Sequence, residues 1–258
     1  MRIDLNADVG ESFGAYTIGD DAGVMRSVTS ANIAAGFHGG DPSVLRATIR
    51  LARTHGVAIG AHPGFPDLAG FGRREMVVSP REAGDLVLYQ IAAVAGVARA
   101  EGMELQHVKP HGALFNMAAR DARLASAIAA AVADFDRSLI LFGLPGSESL
   151  KAGRAAGLRV AAEVFADRSY QPDGSLTPRG VRGSVIHDVS RVVSRAVQMA
   201  TARVVEAVDG TAVPLEADTI CVHGDTPGAE ELAAALRAAL EASGVTVKAV
   251  GAPDTVGV

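Results

Sequence analysis

The chain has 258 residues, 48% of them hydrophobic and 21% charged, which supplies a core for one large domain and excludes a disordered chain. The net charge of -5 comes without a basic run, which argues against nucleic acid, whose binding rests on Lys and Arg neutralising phosphates. A lone cysteine, Cys221, excludes an internal disulfide.

The first element reads as a strand at residues 3–7, with no signal-peptide pattern ahead of it, so a cytoplasmic location is expected. Further strands are expected near 30–34, 57–61, 105–109, 138–142, 159–164 and 219–223, with a last one at 245–250. Helices fall between them, at 42–55, 80–101, 122–133, 147–156, 189–208 and 229–242. Their ends carry cap chemistry. Asp41-Pro42 and Thr226-Pro227 read as N-cap plus first helical residue. Ser79 and Glu82 read as a capping box. Gly56, Gly102, Gly157 and Gly244 follow helices where a left-handed residue is wanted. The apolar run 124–133 is too short to cross a bilayer, and no membrane association is expected.

Repeated strand–helix alternation means parallel strands joined by crossovers. A closed β/α barrel and an open doubly wound sheet both fit. No linker or repeat divides the chain, so residues 1–258 read as a single domain. Strand parity then locates the polar groups. Asp4, Asn6 and Asp8 share one face of the first strand, against Ile3, Leu5, Ala7 and Val9. His107, Lys109 and His111 share a face of the fourth, and Cys221, His223 and Asp225 of the seventh. Asn32 shares parity with His38 if the second strand runs that far. Crossover helices cover the outer faces of a parallel sheet, so a polar face points into a lumen or cleft. Asp8, His38, His62, Lys109, His111, Glu163 and His223 fall at or after strand C-termini, where such folds place ligands.

Asp8 with His38, His62 and His111 forms a set of ligand types that suits zinc and similar ions. A hydrogen-bonded polar cluster without metal fits the same residues. Lys109, beside His111, would sit inside only with a carboxylate partner such as Asp4 or Asp8. The segment from Glu163 to Gly183 lacks periodicity and contains two turn signals, Pro172-Asp173-Gly174 and Thr177-Pro178-Arg179-Gly180. Its Arg168, Arg179 and Arg182 could clamp a carboxylate or phosphate, or lie solvated on a lid. Neither a G-x-x-x-x-G-K-[ST] loop nor a G-x-G-x-x-G after the first strand is present.

Five motifs carry a resemblance. These are Asp4-Leu5-Asn6-Ala7-Asp8-Val9-Gly10-Glu11, Ala31-Asn32-Ile33-Ala34-Ala35-Gly36-Phe37-His38-Gly39-Gly40-Asp41, Gly60-Ala61-His62-Pro63, Val108-Lys109-Pro110-His111-Gly112-Ala113-Leu114 and Glu163-Val164-Phe165-Ala166-Asp167-Arg168. They resemble the LamB/YcsF family, the A subunits of bacterial ATP-dependent 5-oxoprolinase. The chain departs from that family at Ala35, commonly Cys, and Gly39, commonly Ala. If the protein is active, a thiol at position 35 is dispensable.

The resemblance implies a seven-stranded, irregular (β/α) barrel similar to polysaccharide deacetylases and some glycoside hydrolases. It implies conversion of 5-oxo-L-proline, ATP and water to L-glutamate, ADP and phosphate, with subunits B and C as partners. ATP, with Mg as its counterion, would be bound with those partners. On that reading Asp8 or Glu163 is the general base. Lys109, His111 and His38 stabilise developing charge, and Arg168 holds the substrate carboxylate. Asn6, Asn32, His62 and His223 complete the substrate surroundings. A divalent metal on Asp8, His38 and His62 would fit a self-sufficient deacetylase or amidohydrolase instead. A non-catalytic lactam- or sugar-binding barrel is the third reading.

Overall fold

The computed structural model describes residues 1–225 and 228–252. In chain order the elements are β1 (Arg2–Val9), α1 (Asp21–Val24), β2 (Ser30–Ala34), α2 (Pro42–His55), β3 (Ala58–His62), α3 (Pro80–Ala100) and β4 (Leu105–Val108). There follow α4 (Gly112–Arg120), α5 (Ala122–Phe135), β5 (Ile140–Gly143), α6 (Glu148–Ala155), β6 (Arg159–Phe165) and α7 (Val189–Ala202). The last are β7 (Val204–Glu206), β8 (Ala212–Pro214), β9 (Thr219–His223), α8 (Ala229–Ala242) and β10 (Thr246–Val247).

Seven parallel strands run β1-β2-β3-β4-β5-β6-β9, and β9 returns to β1 to close the barrel. The closing register pairs Asp4 with Thr219, Asn6 with Cys221 and Asp8 with His223. β10 pairs only with the start of β1, so the expected strand at 245–250 is two residues long and lies outside the closed ring. Strand parity holds in β1: Ile3, Leu5, Ala7 and Val9 join the layer under the helices, while the alternate positions face the lumen. On the far side of the barrel Ile140, Phe142 and Ala161 form a separate apolar cluster, with Val250 packed against it. The lumen therefore has an apolar side and a polar side.

The caps form as their chemistry dictates. Asp41 accepts from Ser43 N and Val44 N, and Ser79 and Glu82 close a reciprocal capping box. Gly56, Gly102, Gly157 and Gly244 all take positive φ. The Thr226-Pro227 cap lies outside the described residues; α8 starts from Gly228 in a left-handed conformation. Among the described residues α3 is the one helix long and apolar enough to cross a membrane. Its stripe of Ala83, Val87, Ile91, Val94 and Ala98 is buried, and it packs on β3, β4 and α5.

Two elements differ from expectation. The helix expected at 189–208 stops at Ala202, because Arg203 turns left-handed and the chain enters the β7–β8 hairpin. Asp209-Gly210 at the hairpin tip was the available signal. Helix α4 was not expected; its buried Ala113, Leu114, Phe115 and Ala118 give it one apolar face.

Packing between the paired strands β3 and β4 fixes one glycine. A Cβ on Gly60 would lie 2.3 Å from Nε2 of His107, whose ring stacks on Phe142 at 4.3 Å. Gly60→Ala should therefore lower the unfolding free energy by about 1–3 kcal/mol, the usual range for overpacking, as read from urea denaturation. An unchanged midpoint would mean that the His107 ring can leave this position freely.

Candidate active site

The site grows from one buried cation. Lys109 follows β4 and points into the lumen. Its Nζ lies 2.7 Å from Asp8 Oδ1, 2.9 Å from Glu163 Oε1 and 3.0 Å from Cys221 Sγ. Burial opposes the ammonium, but Asp8, Cys221 and Glu163 outweigh it and hold the amine well above its ordinary value. Burial likewise opposes the Asp8 carboxylate, yet His62 and Lys109 hold it well below its ordinary range. Glu163 is raised by burial despite Lys109. The lumen thus carries one firm anion–cation pair and a second carboxyl that holds its proton more tightly.

Amides fix these groups. Asn32 Nδ2 donates to Asp8 Oδ1 at 2.8 Å and to Asn6 Oδ1 at 2.7 Å. Asn6 Nδ2 donates to Glu163 Oε1 and Thr219 Oγ1. His107 Nε2 bonds Asn32 Oδ1 at 2.7 Å, and burial takes its pKa down to about 3. The neutral ring must then donate from Nε2 to the amide oxygen. Below this layer Asp4 accepts from Thr29, Ser30 and Thr219. Asp4 is thus a framework residue and not the partner of Lys109.

Beside the lysine lies a histidine cluster. His62 ends β3, whereas His38 and His111 reach in from loops, because β2 stops at Ala34 and β4 at Val108. His38 and His111 stack at 3.7 Å between ring centroids. Gly72, at φ +62°, passes so close that a Cβ would lie 2.7 Å from His38 Cβ and 2.8 Å from His111 Cδ2. Glu11 joins them from the loop after β1, with Oε1 3.3 Å from His38 Nε2. The carboxylate nearest to His38 and His111 is therefore Glu11. Asp8 touches the cluster only through Oδ2, 3.4 Å from His62 Nε2.

A third group lies at the mouth. His223 Nδ1 is 2.7 Å from Asp167 Oδ2, and Arg179 Nη2 donates to His223 Nε2 at 3.0 Å. Arg73 bonds Asp225 and lies over the Phe71 ring. Arg168 is buried; its Nε and Nη2 donate to Ser184 O and Thr177 O, tying down the long loop. Burial and the neighbouring Arg179 push its pKa down to about 10. Arg182 is exposed and takes no part in the cavity.

Asp8, His62, Lys109, His111, Phe165 and His223 line an inner cavity of about 40 Å³, room for a few waters. Arg73, Arg168 and Arg179 border both this cavity and an outer groove of about 800 Å³. Three guanidinium groups around one opening favour an anion there. Glu163 is wholly buried and does not reach the cavity. Glu11 and Asp167 were not among the expected site residues. Both stand in the resembling motifs, immediately after strand ends, and that position was the signal available.

The sequence matches the LamB/YcsF family over residues 3–254. The chain belongs to the LamB/YcsF family. A relative from Tolumonas auensis, which bears the name of the 5-oxoprolinase A subunit, is 56% identical over 249 residues, 96% of this chain and 99% of that protein. A lactam utilization protein from Thermus thermophilus superposes with a TM-score of 0.91 at 52% identity, covering 96% of this chain and 100% of its own. A putative cellobiose-phosphate cleavage protein from Enterococcus faecalis shares the fold alone, with a TM-score of 0.55 at 13% identity, over 95% and 96% of the two chains. The LamB/YcsF motifs are the segments that bring the lysine, the carboxylates and the histidines to one end of the barrel.

Asp4 offers a test of lumen electrostatics. Burial raises its pKa from 3.8 to about 6 against its three hydroxyl bonds. The native state holds this proton more tightly than the unfolded chain, so the group lowers stability as pH rises from about 4 to about 6. Two pK units correspond to about 3 kcal/mol. Asp4→Asn stays neutral throughout. Its stability relative to the parent should improve by about 3 kcal/mol between pH 4 and pH 7 in urea unfolding. A difference independent of pH would show that Asp4 titrates as an ordinary carboxylate.

Proposed function

We propose that this chain is the A subunit of an ATP-dependent 5-oxoprolinase, opening the lactam of 5-oxo-L-proline to L-glutamate together with subunits B and C. The observation that carries the reading is the Asp8–Lys109 pair on the cavity wall, in a chain whose full-length relatives bear that subunit's name. A five-membered lactam is an unactivated amide. Phosphorylating its carbonyl oxygen makes the ring carbon electrophilic enough for water. The sequence carries no phosphate-binding loop, so phosphoryl transfer, ATP and its Mg are assigned to B and C. The complex would work in the cytoplasm.

In this reading Asp8 is the general base, since it reaches the cavity and Glu163 does not. Asp8 takes a proton from water as the oxygen adds to the ring carbon. Lys109 stabilises the charge that develops there, with Glu163 and Asn6 fixing the ammonium from behind. The proton on Asp8 then passes to the ring nitrogen as the C–N bond breaks, and a second water cleaves the acyl phosphate so formed to glutamate and phosphate. His223, held by Asp167 at Nδ1 and accepting from Arg179 at Nε2, positions that guanidinium at the cavity. Arg168, with Arg73 and Arg179 beside it, holds the substrate carboxylate. Asn32 and Asn6 keep the carboxylates oriented, and the His38, His62 and His111 rings form the wall beside them.

Glutamate release from 5-oxoproline and ATP, measured for this chain alone and then with B and C, tests the assignment. Turnover should require all three. Asp8→Asn and Lys109→Met should each lower kcat by about 10²–10⁴, the span of one positioned acid–base or electrostatic group, while the complex still assembles. Full activity in either variant would refute the assigned roles.

A further inference from the structure

The histidine cluster poses a problem of polarity. His62 Nδ1 lies 2.7 Å from Lys109 O, and His111 Nε2 lies 2.8 Å from Phe71 O. A carbonyl oxygen only accepts, so these two ring nitrogens carry hydrogen. In neutral rings the other two nitrogens, His62 Nε2 and His111 Nδ1, are then bare lone pairs. They face each other at 2.9 Å. Two acceptors at that distance repel, so a positive species belongs between them. A proton would make one ring an imidazolium in a buried site, with His111 stacked flat on His38.

We propose that Glu11 Oε1, His38 Nε2, His62 Nε2 and His111 Nδ1 bind one divalent transition-metal ion, zinc by ligand type. The four residues offer ligand atoms all within 4.8 Å of one another. A tetrahedral zinc site with bonds of about 2.0–2.1 Å has edges of about 3.3 Å. Three of the six edges here are 2.9 Å for His62–His111, 3.3 Å for His38–Glu11 and 3.6 Å for His111–Glu11, and the other three lie within 4.8 Å. The carbonyls of Lys109 and Phe71 are the outer partners that metal-bound imidazoles need to fix ring orientation. Among the described residues His38 Nδ1 is buried without a hydrogen-bond partner, so the contact of Nε2 with Glu11 Oε1 is that ring's polar anchor. Among the described residues Glu11 pairs with His38 and His111 and has no lysine or arginine within ion-pair distance, a gap that an ion would fill. Four protein ligands close a tetrahedral ion, so it would fix the loops that carry Glu11, His38 and His111 beside the inner cavity, which His62 and His111 line.

The set replaces Asp8, an expected metal ligand, with Glu11. Asp8 Oδ1 is taken by Lys109 and Asn32, and Asp8 stands beside the ion as a base. The proposal is independent of the lactam reading, because its test is binding and not turnover.

The full-length chain, stripped with chelator, is titrated with zinc alone by calorimetry and with cobalt(II) by visible absorption, and its metal content is measured by elemental analysis. One ion per chain and tetrahedral cobalt bands are expected. Glu11→Gln, which keeps the side-chain shape, and His111→Ala should each weaken binding at least about 100-fold. Cys221→Ser should bind as the parent does. No saturable binding, or unchanged affinity in Glu11→Gln, would overturn the site and leave a proton shared between His62 and His111. Loss of binding in Cys221→Ser would move the ion to the Asp8, Cys221 and His223 group and overturn the assignment too.

Discussion

An ammonium ion enclosed in a barrel sets the terms for everything around it. Lys109 is buried, and a lone charge there would carry a desolvation penalty of several kcal/mol. Asp8 and Glu163 on two different strands converge on it, and Cys221 from a third completes the contact. Those anchors in turn require Asn6 and Asn32 to hold the carboxylate oxygens in place. Removing one partner of such a pair leaves an uncompensated buried charge, which typically costs roughly 3–5 kcal/mol. The network is therefore both the framework of the lumen and the source of its one firmly ionised carboxylate.

Closure at seven strands determines where this network can act. The lumen is filled by side chains, among them His107 and Phe142, which stack on each other from the neighbouring strands β4 and β5. Reactive groups consequently reach solvent only at the C-terminal mouth. There the loops after β1, β2, β3, β4, β6 and β9 deliver Glu11, His38, Arg73, His111, Asp167 and Asp225 respectively. The long segment after β6 is braced as a small lobe by Arg168 and Arg195, which donate to backbone carbonyls within and beside it. That bracing positions Arg179 against His223 and gives the mouth its cationic rim.

Three chemistries are thus layered along one axis. Hydroxyl-bonded Asp4 and the amides lie deepest, the lysine and its carboxylates lie above them, and the imidazoles and guanidiniums crown the opening. Family membership and barrel architecture agree on this end of the molecule. The motifs that mark LamB/YcsF proteins are the strand ends and turns that build it.

Much of this was written in local patterns. Period-two alternation placed Asp4, Asn6 and Asp8 on one face, and the structure turns that face into the lumen. Cap residues marked helix starts and ends because they act within a few residues of the chain. Strand order, closure between β9 and β1, and the choice of partners were decided only by tertiary structure. Lys109 meets Asp8 across 101 residues, and Asp167 meets His223 across 56. Parity names a face but not a neighbour, so it offered Asp4 and Asp8 alike to the lysine; register separated them. Glu11, Arg73 and Asp167 sit in loops with no periodicity to read, and α4 lay hidden behind a motif read as the end of a strand. Sequence determined which residues face inward, a property of each strand alone. Only the closed barrel decided which of them touch, because that depends on how separate strands align.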